Sequence, residues 1–192
     1  MTTKKAKSPV VIVLASGRGE RFIAAGGTGS KLQAPLAGKP VLARTLDAVR
    51  ASGLPWHLED AGHPGMGDSI AAAVRATPDA AGWLILPGDL PLVRPGTLQA
   101  VAAALVTGVG AVQPQYQGER GHPVGFGAAC HAQLAVLEGA LGASSVLRAM
   151  RAADSVVDIV VDDIGVVTDI DTPEALAHAE ALWLADPGRL SA

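Results

Sequence analysis

The residues best suited to chemistry lie in one early stretch. The apolar run Val10–Leu14 breaks into Ala15-Ser16-Gly17-Arg18-Gly19-Glu20-Arg21-Phe22, and Lys31 follows a second glycine-rich segment. Glycines let a backbone approach an anion closely and aim its N–H groups at it. Arginine forks and a lysine ammonium supply positive charge. A strand that ends in such a loop is suited to holding phosphates. Two acidic motifs lie downstream, Gly88-Asp89-Leu90-Pro91 and Asp169-Ile170-Asp171-Thr172-Pro173-Glu174. A carboxylate at the carboxyl end of a strand suits a hard divalent cation. Together the three motifs point to a nucleotide, a divalent metal and a transfer reaction.

Each motif also has a plainer reading. Asp89 fits a turn or a helix cap, and Asp171 or Thr172 fits the N-cap of a helix. Asp169 and Asp171 alternate in what reads as an extended segment, which would turn only one of them toward a site. Arg120-Gly121-His122-Pro123-Val124 puts a guanidinium and an imidazole on one tight loop, suited to an anionic acceptor or to a simple hairpin turn. His57, Glu59, Asp60 and His63 form a polar cluster without helical spacing, read here as a solvated loop rather than a metal site. Two better-known phosphate motifs are excluded. Lys31 stands between Ser30 and Leu32, so the Gly-Lys-Ser/Thr end of a Walker loop is missing. Phe22 takes the place of the third glycine of a dinucleotide fingerprint.

The elements that must position these residues alternate. Val10–Leu14 is apolar throughout, as in a strand buried on both faces. Pro40 opens a helix with Leu42, Leu46 and Val49 on one face and Gly53 at its end. Asp68 or Ser69 caps a helix through Ala76. A buried strand spans 83–86, and Pro95 opens a helix that ends at Gly108. Short strands at 111–113 and 124–126 precede helices near 128–138 and 144–152. A strand at 156–161 and an extended piece at 166–170 lead to a last helix from Pro173. This pattern predicts an α/β fold, a three-layer sandwich around a mostly parallel, Rossmann-like sheet. Ligands of such sheets bind at the carboxyl ends of the strands, where the glycine loop and Asp89 both fall.

Composition narrows the function classes. The 192 residues suit one domain, expected over 10–186, with a short leader at 1–9 and a tail at 187–192. The net charge of -3 argues against a nucleic-acid binder. The single Cys130 excludes an internal disulfide framework and a cysteine-based zinc site, and reads as a small buried apolar residue. No apolar run approaches the roughly 20 residues that span a bilayer, and no signal peptide is read at the start, so the expected compartment is the cytoplasm.

With these motifs in view, the chain resembles the nucleotidyltransferases that complete the molybdenum cofactor. The resemblance runs from about Val10 to Leu182. It rests on the loop from Leu14 to Phe22 with Lys31, Gly65-Met66-Gly67-Asp68-Ser69, Gly88-Asp89-Leu90-Pro91, Arg120-Gly121-His122-Pro123-Val124 and Asp169-Ile170-Asp171-Thr172-Pro173-Glu174. The last two motifs look like the cytidylyltransferase branch, with the guanylyltransferase a near relative. The resemblance implies that a phosphate of molybdopterin attacks the α-phosphate of CTP, with GTP or another phosphate acceptor as the alternative within the class. A molybdenum hydroxylase would receive the product. It further implies that Arg21 and Lys31 hold the triphosphate beside Leu14, Ala15, Ser16, Gly17, Arg18 and Gly19. Asp89 and Asp171 would hold Mg²⁺, Gly67, Asp68 and Ser69 would lie near the base or ribose, and Arg120 and His122 would face the pterin.

Three departures stand out. Ser16 replaces a small Ala or Gly, and the stretch before Lys31 is longer and richer in glycine. Only 13 residues, from Leu54 to Met66, fill a connection where the family places a strand, a helix and a strand. There is room for one short strand near 56–58, so the sheet is expected to lack one or two strands. A non-catalytic carrier of the cofactor is the alternative that this shortening motivates.

Overall fold

A computed structural model describes residues 8–17, 19–105, 108–186 and 188. In chain order the elements are β1 (Val10–Leu14), α1 (Glu20–Ala24), β2 (Pro35–Leu36), β3 (Lys39–Pro40), α2 (Val41–Ala51), β4 (Trp56–Glu59), α3 (Met66–Ala76) and β5 (Gly82–Pro87). Then come α4 (Pro95–Leu105), β6 (Ala111–Tyr116), β7 (Glu119–Arg120), β8 (Val124–Gly127), α5 (His131–Leu134), α6 (Ser144–Ala152), β9 (Val156–Val160) and α7 (Pro173–Ala185). Among the described residues seven strands form one sheet in the order β4-β1-β5-β8-β6-β7, with β9 also on β6. The pairs β4–β1, β1–β5 and β6–β9 are parallel, while β8 runs antiparallel between β5 and β6. The expected mostly parallel sheet is therefore observed.

Alternation along each strand builds the three layers. Val11, Val13, Leu84 and Leu86 pack on one face with Leu46 and Val49 of α2 and Leu98, Val101 and Leu105 of α4. Ile12, Trp83 and Ile85 pack on the other with Ile70 and Val74 of α3, Leu134 of α5 and Val146 of α6. Cys130 sits in this second layer at 2% exposure, as the sequence suggested. Burial pushes its thiol pKa up, which keeps it uncharged.

Three expectations change. The extended piece at 166–170 is not a strand: a 3₁₀ turn at Ile164–Val166 bends the chain there, with Thr168 Oγ1 donating back to the Ile164 carbonyl at 2.8 Å. The first half of 128–138 is a short 3₁₀ turn followed by the four-residue α5. Helix α3 starts at Met66 from an extended Gly65, so neither Asp68 nor Ser69 is its N-cap. The helix end near Val106 and the Pro187 boundary lie outside the described residues. The short connection holds one strand, β4, which forms the sheet edge.

Candidate active site

The register of the parallel strands sets the site. Leu14 at the end of β1 lies opposite Glu59 on β4 and Pro87 on β5, so all three strands stop at one level. The loop after β1 is tied down on both sides. Ala15 N and Ser16 Oγ donate to the Glu59 carbonyl at 2.8 and 3.2 Å, and Gly88 N donates to the Leu14 carbonyl at 2.9 Å. Gly19 has a φ of 64°, a left-handed conformation that glycine adopts without strain. Beyond this edge opens a cleft of about 410 Å³. Leu14, Ser16, Gly17, Gly19, Arg21 and Lys31 form one side, with Asp89 and Asp171 also in its lining.

Apolar neighbours aim the charged residues. Phe22, Leu32 and Ile170 are buried together in a third cluster with Leu36, Val41 and Leu92. Each sits one residue from a charged group of the site, so burying the three apolar side chains carries Arg21, Lys31 and Asp171 to the cleft. This explains why Phe22 stands where a dinucleotide loop has glycine. A Cβ at Gly27 would fall 2.3 Å from the Phe22 ring. The turn at Gly88-Asp89 is held from below, where Thr45 Oγ1 donates to the Gly88 carbonyl at 2.9 Å. Ile170 N donates to the Asp89 carbonyl at 3.0 Å, setting the two acidic motifs side by side.

The charges meet at the cleft floor. Lys31 Nζ stands 2.5 Å from Asp89 Oδ2 and 2.8 Å from Asp171 Oδ1, and Arg21 Nη1 is 2.5 Å from Asp171 Oδ2. Burial alone would lower the Lys31 pKa. The two carboxylates outweigh it and raise the ammonium above its usual value. Burial likewise pushes Asp171 up, but Lys31 overrides it and holds the carboxyl below its usual range. Asp169 is raised, first by burial and then by its hydrogen bond to the charged Asp171. Only Asp171 of the two lines the cleft, as expected, although the segment is not a strand.

The metal expectation can be tested against these atoms. Asp89 Oδ1 is buried and has no hydrogen-bond partner. Two carboxylates converge on one cation position, and one buried oxygen of the pair is left unsatisfied. An oxygen-rich, anionic donor set of this kind suits a hard divalent ion. Among the described residues no group of three or more His, Cys, Asp or Glu side chains forms a metal cluster, so solvent or phosphate oxygens would have to complete the shell.

The remaining sequence candidates divide. Ser69 lines the cleft. Asp68 does not: its Oδ2 accepts from Gly139 N at 2.9 Å, and Gly67 N donates to the Gly139 carbonyl at 2.7 Å. These two residues join α3 to the 135–143 segment. Ala15 contributes its backbone to the loop, and Arg18 lies outside the described residues. The structure also separates Arg120 from His122, contrary to the expectation that one loop presents both. The Arg120 guanidinium is on the outer strand β7, where Nε and Nη2 donate to Asp158 at 3.0 and 2.8 Å. The His122 ring turns inward, with Nδ1 buried and unpartnered. Burial lowers its pKa, against the pull of the Ile85 carbonyl and the Asp89 charge.

The His57–His63 cluster is a solvated loop only in part: His57 and Glu59 lie on β4, and Asp60 and His63 follow in the loop. Glu59 is 6% exposed, with His63 Nε2 3.2 Å from one of its oxygens and His57 Nε2 3.5 Å from the other. His63, Pro64, Gly65 and Met66 also line the cleft. Of these, His63 was visible in the sequence only as part of a polar stretch.

Comparison with known proteins gives the arrangement a family. The bifunctional protein GlmU of Alkalilimnicola ehrlichii is 30% identical over 139 residues, covering 61% of this chain and 28% of that protein. This chain thus spans about a quarter of that relative. The crystal structure of Rv0371c from Mycobacterium tuberculosis H37Rv superposes with a TM-score of 0.74 at 23% identity, covering 92% of this chain and 99% of that one. The mycobacterial protein is also known in complex with manganese. Molybdopterin-guanine dinucleotide biosynthesis protein A from Archaeoglobus fulgidus superposes at 0.60 with 19% identity, over 90% of this chain and 97% of that one. These structural likenesses are likenesses of fold. The model of the MobA-like NTP transferase domain matches residues 48–156, more than half of the chain. The chain therefore belongs to the MobA-like NTP transferase domain family, a family of nucleotidyltransferases.

Proposed function

We propose that this chain transfers a cytidylyl group from CTP to the phosphate of molybdopterin, with Mg²⁺ as cofactor and pyrophosphate as the second product. The observation that carries the reading is the meeting of Lys31, Asp89 and Asp171 beneath the glycine loop. The choice of CTP and of molybdopterin rests on the sequence resemblance, through the forms of the Arg120–Val124 and Asp169–Glu174 motifs.

The chemistry needs no protein nucleophile. A phosphate oxygen of the acceptor bonds to the α-phosphorus, the bond to the bridging oxygen breaks, and pyrophosphate leaves with that electron pair. The protein then contributes position and charge. The backbone of Ser16, Gly17 and Gly19 faces the phosphates, and Leu14 and Ala15 fix where that loop begins. Arg21 and Lys31 neutralise the triphosphate and the departing pyrophosphate. Ser69, with Gly67 and Asp68 shaping the helix start behind it, forms the wall for ribose and base. Asp89 and Asp171 would hold the metal. When bound, it supplies charge neutralisation on the phosphate oxygens. His122, buried near Asp89, is the acceptor-side candidate. Arg120 joins it only by leaving Asp158.

The test is pyrophosphate release from the purified chain with Mg²⁺ and molybdopterin, with CTP, GTP, ATP and UTP tried separately. Release with CTP alone is expected. Asp89→Ala should cut it by about a hundredfold or more with the fold intact, as for loss of a group that stabilises transition-state charge. Release with GTP alone overturns the nucleotide assignment. No release from folded protein favours the carrier.

A further inference from the structure

We propose that Lys31 is a resident cation that must leave the two carboxylates before a divalent metal can bind, so that metal and triphosphate enter together. The inference rests on the reading of Asp89 and Asp171 as metal ligands.

The argument starts from occupancy. Lys31 Nζ lies between Asp89 Oδ2 and Asp171 Oδ1, at 2.5 and 2.8 Å. An ion held by both side chains at about 2.1 Å occupies the same ground. A divalent ion and an ammonium cannot both contact these oxygens, because two cations at that separation repel each other strongly in a part-buried site. The side chains involved are only 12–18% exposed, so water screens little of this competition. Without nucleotide the ammonium therefore holds Asp89 Oδ2 and Asp171 Oδ1 and opposes the metal.

The second part is where the ammonium goes. A charge displaced from a part-buried ion pair needs a new partner. The Lys31 stem runs beside the glycine loop: a Cβ placed on Gly19 would lie 3.6 Å from Lys31 Cγ and 3.7 Å from Lys31 N. Lys31 also opens a three-residue 3₁₀ turn whose next residue, Leu32, is anchored in the core. The backbone thus stays while the side chain swings, and the surface within its reach is the loop that faces the phosphates. Arg21 can remain on the other oxygen of Asp171 throughout. A triphosphate on the loop draws Lys31 off the carboxylates and opens them to the metal. By linkage, a metal on the carboxylates frees Lys31 for the triphosphate.

The experiment measures Mn²⁺ binding to the full chain by electron paramagnetic resonance, without nucleotide, so that turnover plays no part. Wild type, Lys31→Met, Lys31→Gln and Asp89→Asn are compared, each first shown to be folded by circular dichroism. The expected result is weak binding by the wild type and binding at least about tenfold tighter by a Lys31 variant, the size of a typical coupling between sites. Tripolyphosphate binding measured in EDTA should weaken in the same variant. If Asp89→Asn abolishes Mn²⁺ binding while neither folded Lys31 variant binds it more tightly than wild type, the exchange is overturned and the metal site stands. If Asp89→Asn leaves Mn²⁺ binding unchanged, the metal reading falls and the proposal falls with it.

Discussion

The buried carboxylate of Asp163 accepts the Thr97 hydroxyl at 2.6 Å, although 66 residues of chain separate the two. The same oxygen takes Arg94 N at 2.8 Å, and the other takes Gly165 N at 3.0 Å. Asp163 thus fastens the start of α4 to the segment that leads to Asp171. Asp163→Ala leaves these donors unpaired in a site only 2% exposed. The expected loss is about 3 kcal/mol, or roughly 6–12 °C in Tm for a chain of this size, read by thermal melting. A loss below about 1 kcal/mol would mean that water replaces the carboxylate without cost.

Backbone contacts hold the same region from the other side. A Cβ on Gly165 would fall 2.1 Å from the Leu92 carbonyl, and one on Gly121 would fall 2.1 Å from the Val166 oxygen. Neither neighbour is a side chain that can turn away. Gly165→Ala is expected to lower stability by about 3 kcal/mol or more, with loss of soluble yield. Gly96→Ala, with nothing near its Cβ, is the matched control and should melt like the wild type.

The His122 imidazole makes stability depend on pH. Burial depresses its folded pKa below the ordinary 6.5. Between that lowered value and 6.5 the unfolded chain holds a proton that the folded chain does not, so stability rises with pH across the window. Taken downward, Tm should begin to fall as pH drops through about 6.5. His122→Asn should flatten this slope between pH 7 and 5. Parallel slopes for the two proteins would show that the ring is not what titrates.

Arg120 offers a test of the acceptor side. It is bound to Asp158, whose carboxyl the Arg151 hydrogen bond, then Arg120, holds below its usual pKa. Since the guanidinium is away from the cleft lining, Arg120→Ala should leave CTP affinity within about twofold by calorimetry, as for an exposed ion pair. A rise in KM for molybdopterin alone would return Arg120 to the acceptor. A tenfold loss of CTP affinity would put it on the nucleotide instead.

Much of this site was readable in the sequence because apolar patterns dictate it. Val10–Leu14 has no polar residue to face solvent, and the Pro-Gly break after β5 forces a turn at Asp89. The shortened connection limited the edge to one strand by length alone, and β4 is that strand. What was not readable depends on distant partners. Trp56-His57-Leu58-Glu59 alternates apolar and polar residues, which would set Glu59 on the outward face, so only its pairing with β1 reveals that Glu59 is buried while Trp56 is 40% exposed. Arg120 and His122 are two residues apart, and distant partners separate them: the Arg120 guanidinium meets Asp158, whereas His122 N donates to the Val166 carbonyl at 2.9 Å. The kink at 164–168 replaces a β-branched run that reads as strand, because Asp163 and Thr168 supply local hydrogen bonds in its place.

The stitch between Asp68 and Gly139 has a further meaning. It ties together two stretches 71 residues apart, which line the cleft through Met66 and Ser69 on one side of the join and Ala140 on the other. On the proposed reaction, substitutions in residues 135–143 would reshape the part of the cleft assigned to the base while leaving Lys31, Asp89 and Asp171 in place. On that reading, base choice and phosphate transfer rest on different parts of the chain.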